Sequence, residues 1–202
     1  YTACVNLGGF SNISIFQKGN VLAYDICAVN TVLNFLANKV DLAFDDKGEM
    51  ARSGKEIPSL FKALEKLEFY LQIPPKSLGV EWVQKNITEI INKYWMHKIE
   101  DLLHTYILHI SKQIVKCLPK RGAVLFSGGG AYNTFLVNEI QKKSTAEIIV
   151  PSNKIIDFKE ALIFAFLGLL RWQGSVNCLA SVTGAKRDHS SGKVFKPKSM
   201  IN

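Results

Sequence analysis

The sequence predicts a mixed α/β fold on a five-stranded sheet, and three observations carry that expectation. Three short β-rich runs separated by glycine turns open the chain, strand-like and helix-like segments alternate beyond residue 120, and a glycine triplet, Gly128-Gly129-Gly130, joins a strand pattern to a helix pattern. Strand, helix, strand, helix implies parallel pairing through right-handed crossovers. The 202 residues suit one medium domain, or one large lobe of a bigger protein, with a proper core.

The opening runs are Ala3 to Leu7, Phe10 to Gln17 and Val21 to Asp25, turned by Gly8-Gly9 and Gly19-Asn20. Alternation in Asn12, Ile13, Ser14 and Ile15 gives the second strand one apolar face. Val32, Leu33, Leu36 and Val40 recur at helical spacing, so a helix is expected from Asn30 to Val40. Asp45 to Gly54 reads as a polar loop. A second helical run starts at Ile57 with Pro58 near its first turn, and Pro74-Pro75 stops any continuation. PPKSLGVEW reads as another loop. Tyr94 to Cys117 is the longest helical pattern, with Trp95, Ile99, Leu102, Leu103, Tyr106, Ile110 and Ile114 on one stripe. The strand GAVLFS, the glycine turn, a helix from Ala131 to about Lys143, the strand EIIV ended by Pro151, and an apolar helix from Asp157 to Trp172 complete the order.

Hydrophobic residues make up 48% and charged residues 21%, which excludes wholesale disorder and fibrous classes. The longest greasy segment, Ala161 to Leu170, is about half of what a bilayer needs and reads as a buried helix. No secretory leader pattern opens the sequence, and the expected compartment is the cytoplasm. Four scattered cysteines, Cys4, Cys27, Cys117 and Cys178, lack metal-binding or disulfide spacing and read as reduced core residues. Lys and Arg exceed Asp and Glu by 25 to 17, but the excess is spread rather than interleaved with aromatics, against a nucleic-acid partner. A basic tail, Lys186 to Lys198 within residues 186–202, reads as a solvated end. His97, His104 and His109 are seven and five apart, wrong for a helical metal site, and read as a solvated face. Because the chain begins at Tyr1, a processed product or a fragment is expected.

The glycine triplet concentrates the candidate chemistry. Residues without a Cβ let backbone N–H groups approach a ligand at the start of the following helix. They also permit close packing of strand and helix, and the sequence leaves both readings open.

VNLGGFSNIS, FSGGGAYN, DFKEALIFAFLGLL and SVTGA, in this order, resemble the second half of the anhydro-N-acetylmuramic acid kinases, members of the sugar kinase, Hsp70 and actin superfamily. Pro74 to Gly79 and Asp46-Lys47-Gly48 are similar too. The resemblance implies a ribonuclease-H-like lobe with helices on both sheet faces, spanning residues 1–185 with a helical insertion at about 55–117. It implies ATP with Mg2+, and an amino-sugar substrate phosphorylated as its anhydro ring opens. By that likeness Gly8, Gly9 and Asn12 face the phosphates, although Gly8-Gly9 also suits a plain hairpin. Gly128, Gly129, Gly130 and Asn133 border the adenosine. Glu160 contacts substrate or water, or else compensates the helix dipole. Asp25 positions Mg2+ through water or holds a turn, with no direct metal ligand implied. YDICAVN departs from the family's FDTGPGN loop, retaining Asp25 and Asn30 while Ile26 to Val29 replace its small middle.

The family's phosphate loop and general base have no counterpart in these residues, so an N-terminal lobe is the expected partner and the isolated chain is expected to be inactive. A noncatalytic nucleotide-binding or interaction module of the same superfamily is the alternative. The oligomeric state is open, a homodimer included.

Overall fold

In a computed structural model of the chain, residues 1–17 and 19–195 are described. They form two compact units, Tyr1–Asp157 and a second beginning at Phe158.

In the first unit β1 (Ala3–Leu7), β2 (Phe10–Gln17) and β3 (Asn20–Ala28) form an antiparallel meander, joined by β4 (Ala123–Ser127) and β5 (Glu147–Ile149). The strand order is β3-β2-β1-β4-β5, with β4 parallel to β1 and β5 parallel to β4. Only β2 runs against its neighbours. This is the expected mixed sheet, and its order is that of a ribonuclease-H-like lobe.

The register sorts the side chains. Val5 lies opposite Ile13 and Phe126, and Ala3 opposite Ile15 and Val124, so one face is a continuous buried apolar surface. The other face carries a polar row at the same level: Asp25 opposite Asn12, Asn12 opposite Asn6, and Asn6 opposite Ser127.

Helix α1 (Asn30–Ala37) follows β3, and α2 (Glu49–Ser53), α3 (Pro58–Glu65), α4 (Val80–Trp82), α5 (Glu89–Asn92) and α6 (Ile99–Cys117) lie before β4. The expected loop over Asp45 to Gly54 contains α2 instead. Asp45 makes the difference: its Oδ1 accepts from Met50 N–H and its Oδ2 from Ala51 N–H, satisfying donors that a short helix otherwise leaves bare. The expected loop PPKSLGVEW turns helical at Val80 and continues through a π-helical turn, Val83–Thr88. β3 is also longer than expected, because Ile26, Cys27 and Ala28 are buried and carry the strand on.

α6 starts later than the periodicity suggests, at Ile99 after an extended Lys98, with Glu100 and Asp101 in its first turn. The histidines do not share a solvated face. His97 precedes the helix, His104 places Nδ1 2.8 Å from the Ala51 carbonyl oxygen, and His109 is fully buried with Nδ1 2.8 Å from Glu65 Oε1. α6 touches α1, α2, α3, α7 (Thr134–Lys143) and β3, so burial wraps much more of it than one stripe.

α8 (Asn153–Trp172) begins in the first unit, and α9 (Ala180–Thr183) belongs to the second. The apolar run in α8 is not the buried helix expected: Phe158, Leu162, Phe164, Phe166 and Trp172 are exposed. Among the described residues of the second unit, α9 and a bridge between Cys178 and His189 accompany it and leave that run uncovered. The bridge ties down part of the basic tail, whereas Lys196 and Lys198 lie outside the described residues. Among the described residues no helix is long and apolar enough to cross a membrane.

Candidate nucleoside site

The two glycine turns meet at the ends of β1 and β4. Gly128 has φ +85°, and a Cβ there would sit 2.7 Å from Asn6 Oδ1 and 2.8 Å from the Leu7 carbonyl oxygen. A Cβ on Gly130 would lie 2.8 Å from Leu7 Cβ. Both glycines are therefore demanded by close packing on β1. Gly129 differs, because the nearest atom to its Cβ position is Asn30 Nδ2 at 3.9 Å. One triplet thus holds both readings that the sequence left open, two glycines for packing and one with backbone bared to a cavity.

That cavity, of about 580 Å³, lies within the first unit, and its size suits a nucleoside-sized ligand. Its floor is Gly129, Gly130, Ala131 and Tyr132 on a 3-10 turn, followed by Asn133 and Thr134 at the start of α7. Asn30, Leu33 and Asn34 of α1 form one wall, and Val150, Asn153 and Ile156 another. Phe44, Asp45, Asp46 and Lys47 close the third side. The lining combines apolar walls with amides and a few charges, as recognition of a base and a ribose requires.

The third side is clasped to the floor. Lys47 (φ 54°) and Gly48 (φ 75°) both take left-handed backbone, and a Cβ on Gly48 would collide with Asn133 Oδ1 and lie 2.8 Å from Phe135 Cβ. Thr134 Oγ1 donates to the Lys47 carbonyl oxygen at 3.0 Å and accepts from Arg52 Nη2 at 3.2 Å. Asn133 Oδ1 accepts from Leu136 N–H, capping α7, so this side chain shapes the pocket through its role in starting the helix. Tyr132 donates its hydroxyl to Asp157 Oδ1 at 2.6 Å, and that hydrogen bond, with a smaller burial effect and the carboxylate charge, raises the phenol's pKa.

Of the expected site residues, Gly129, Gly130 and Asn133 line this cavity, and Gly128 hinges the turn beneath it. Gly8, Gly9 and Asn12 do not line it, but they are one strand end away. Asn30 joins the two places, donating its backbone N–H to the Gly8 carbonyl oxygen while its side chain faces Gly129. The side chain of Asn6 lies between the turns, Nδ2 toward Gly8 and Oδ1 toward Gly128. The Gly9 carbonyl oxygen accepts from Val29 N–H, Thr31 N–H and Thr31 Oγ1, so the first turn is rigidly seated on α1.

Asp25 holds a turn: its Oδ2 accepts from Ser77 Oγ and Leu78 N–H, each at 2.9 Å, pinning the PPKSLG segment. Ile26, Cys27, Ala28 and Val29, which replace the family's small residues, are all buried, and burial, with the neighbouring Cys117, pushes the Cys27 thiol's pKa up. Glu160 is exposed in the second unit and is not among the residues lining the cavity. Among the described residues no group of three or more His, Cys, Asp or Glu is placed to hold a metal ion.

Asn30, Asn34, Phe44, Lys47, Tyr132 and Asn153 escaped assignment from the sequence. Only the family likeness of Asp46-Lys47-Gly48, the retention of Asn30 in YDICAVN and the adjacency of Tyr132 to the triplet hinted at any of them. Their convergence is made by the crossovers, which bring three distant segments to one sheet end.

The family model for anhydro-N-acetylmuramic acid kinase matches residues 1–197. Similar relatives, all named anhydro-N-acetylmuramic acid kinase, include those of Francisella tularensis subsp. novicida (32% identity over 90% of this chain and 51% of the relative), Sulfurovum sp. (31%, 95% and 54%) and Haemophilus influenzae (31%, 96% and 56%). The chain spans about half the length of the curated relatives it matches. A solved structure, the activator of the 2-hydroxyisocaproyl-CoA dehydratase from Clostridium difficile with bound ADPNP, overlaps 87% of this chain and 63% of its own at a TM-score of 0.49 and 18% identity. On the match across residues 1–197, the chain belongs to the anhydro-N-acetylmuramic acid kinase family.

Proposed function

We propose that this chain is the nucleoside-binding half of a carbohydrate kinase that uses ATP to phosphorylate 1,6-anhydro-N-acetylmuramic acid. In this reaction the sugar's O6 accepts the γ-phosphoryl group and releases ADP, while water adds at C1 as the C1–O6 bond breaks. The product is N-acetylmuramic acid 6-phosphate, recycled from the cell wall in the cytoplasm.

The observation that carries the reading is the cavity over Gly129, where the backbone is bare and no atom stands closer than 3.9 Å to the missing Cβ. A ribose or base edge fits against such a surface, and Asn30 leads from it toward Gly8 and Gly9, where the phosphates would run past Asn12. Mg2+ supplies charge neutralisation at the phosphates when bound. Among the described residues no group of three or more His, Cys, Asp or Glu is placed to hold the ion. Glu160 is the candidate contact to sugar or water from α8. The general base and phosphate loop belong to a partner lobe, so the chain alone binds nucleotide without turnover.

The test is an ATP titration followed through backbone amide resonances, paired with a phosphotransfer assay. Shifts centred on Gly129 through Thr134 and extending to Asn30, Gly8 and Gly9, with no sugar phosphorylation until an N-terminal half from a relative is added, are expected. An unchanged spectrum in that segment refutes the nucleoside assignment, and robust turnover by the chain alone refutes the division of labour.

A further inference from the structure

Two aromatic side chains reach the cavity, and they are held differently. Tyr132 is tethered through its hydroxyl to Asp157 and forms a fixed part of the floor. Phe44 is 59% exposed, lies outside the apolar core, and among the described residues is faced by no aromatic ring and no cation. A single exposed Phe is ordinary on a protein surface. This one is different because it lines a concave site whose other apolar walls are Leu33, Val150 and Ile156.

Its backbone is also well anchored. The next residue, Asp45, spends both carboxylate oxygens on the N-terminus of α2, and three residues earlier Asp41 takes a left-handed conformation (φ 58°) that ends the turn after α1. The ring is therefore delivered to the cavity edge by a fixed stem. An aromatic face presented in this way, beside amides from Asn34 and Asn153 that can meet a heterocycle's edge, matches a purine.

We propose that Phe44 is the stacking platform for the purine base, and that it sets the preference of this site for purine over pyrimidine nucleotides. The inference rests on the nucleoside reading of the cavity. Stacking depends on overlapped ring area, so the larger purine gains more than a pyrimidine, and loss of an aromatic partner weakens base binding by roughly tenfold to a hundredfold.

The experiment compares wild type, Phe44→Ala, Phe44→Leu and Phe44→Trp in the full 202-residue chain, titrated with adenosine, ATP, UTP and inorganic tripolyphosphate. Phe44→Ala and Phe44→Leu are expected to weaken adenosine and ATP by roughly tenfold or more while UTP changes less, so the ATP-to-UTP preference shrinks. Tripolyphosphate binding stays unchanged. Phe44→Trp retains adenosine affinity, and the fluorescence it adds over wild type is quenched by adenosine. Amide shifts over Gly129 to Thr134 in the wild type separate the two readings. If ATP moves none of them, the nucleoside reading fails and this inference with it. If they move while Phe44→Ala binds adenosine as wild type does, or if ATP and UTP weaken equally, the stacking assignment alone is overturned.

Discussion

Replacing each glycine of the triplet by alanine separates packing from ligand contact. At Gly128 a methyl group would meet Asn6 Oδ1 at 2.7 Å and the Leu7 carbonyl at 2.8 Å, on a backbone at φ +85° and ψ 165° where only glycine is at ease. Overpacking costs about 1–3 kcal/mol and the backbone strain a further ~1–3 kcal/mol. At Gly130 the φ is permissive, but Leu7, which is fully buried, stands 2.8 Å from the added carbon, so only the overpacking cost of about 1–3 kcal/mol applies. At Gly129 the nearest atom is 3.9 Å away, so alanine fits and the stiffer unfolded chain stabilises by about 0.4–1 kcal/mol. Thermal melts should rank Gly129→Ala at or above wild type, then Gly130→Ala, then Gly128→Ala. A chain of this size moves about 2–4 °C per kcal/mol. ATP affinity should fall for Gly129→Ala by about tenfold or more, because its methyl group projects into the pocket. A Gly128→Ala variant that melts with wild type, or a Gly129→Ala variant that keeps its affinity, would refute the separation.

Three further outcomes concern polar groups in the first unit. Thr105 Oγ1 accepts from Ile57 N–H at 2.8 Å in a buried setting, so Thr105→Val should leave that donor bare and lower the unfolding free energy by about 1–3 kcal/mol in urea titrations. Asp25→Ala should destabilise the chain by about 1–3 kcal/mol and increase hydrogen exchange at Leu78 while sparing affinity for Mg2+-free ATP; unchanged exchange would mean that Asp25 does not pin the loop. Burial lowers the His109 pKa against the opposing pull of Glu65. Glu65, although burial pushes its pKa up, is held well below the usual carboxylate range by hydrogen bonds from His109 and Lys112 and the charge of Lys116. Both folded pKa values lie below the unfolded ones, so the unfolded chain binds more protons as pH falls. Stability should be fully present above about pH 6.5, decline below it as unfolded His109 protonates, and decline again below about 4.5 through Glu65. His109→Phe should remove the upper step in a stability-against-pH series and shrink the lower one, since Glu65 keeps Lys112 and Lys116 but loses the His109 hydrogen bond.

Several elements were legible because their signals are local. β1 and β2 have the bounds that alternation and glycine turns suggest, and Pro58 starts α3. Where a partner from elsewhere decides, sequence reading fell short. α2 forms because Asp45 caps it twice, a contact with no hydrophobic period to announce it. His109 is internal because α6 is enclosed on several sides, whereas its heptad-like stripe described only one. The exposed run on α8 shows the converse, since an apolar sequence asks for a cover without supplying one. The candidate site was half legible: Gly129, Gly130 and Asn133 stand at the cavity, while Asn30, Phe44 and Lys47 come from other segments.

By itself the sequence determined the alternation of strands and helices, the polar and apolar faces of the meander, the positions where backbone could be bared, and the family. These depend on residue type and spacing along a short stretch. Only the tertiary structure decided which glycine is free and which is wedged, since Gly128, Gly129 and Gly130 are chemically identical and differ only in what stands opposite them. Leu7, more than a hundred residues earlier in the chain, fills the space beside Gly130, and the open space beside Gly129 becomes the pocket.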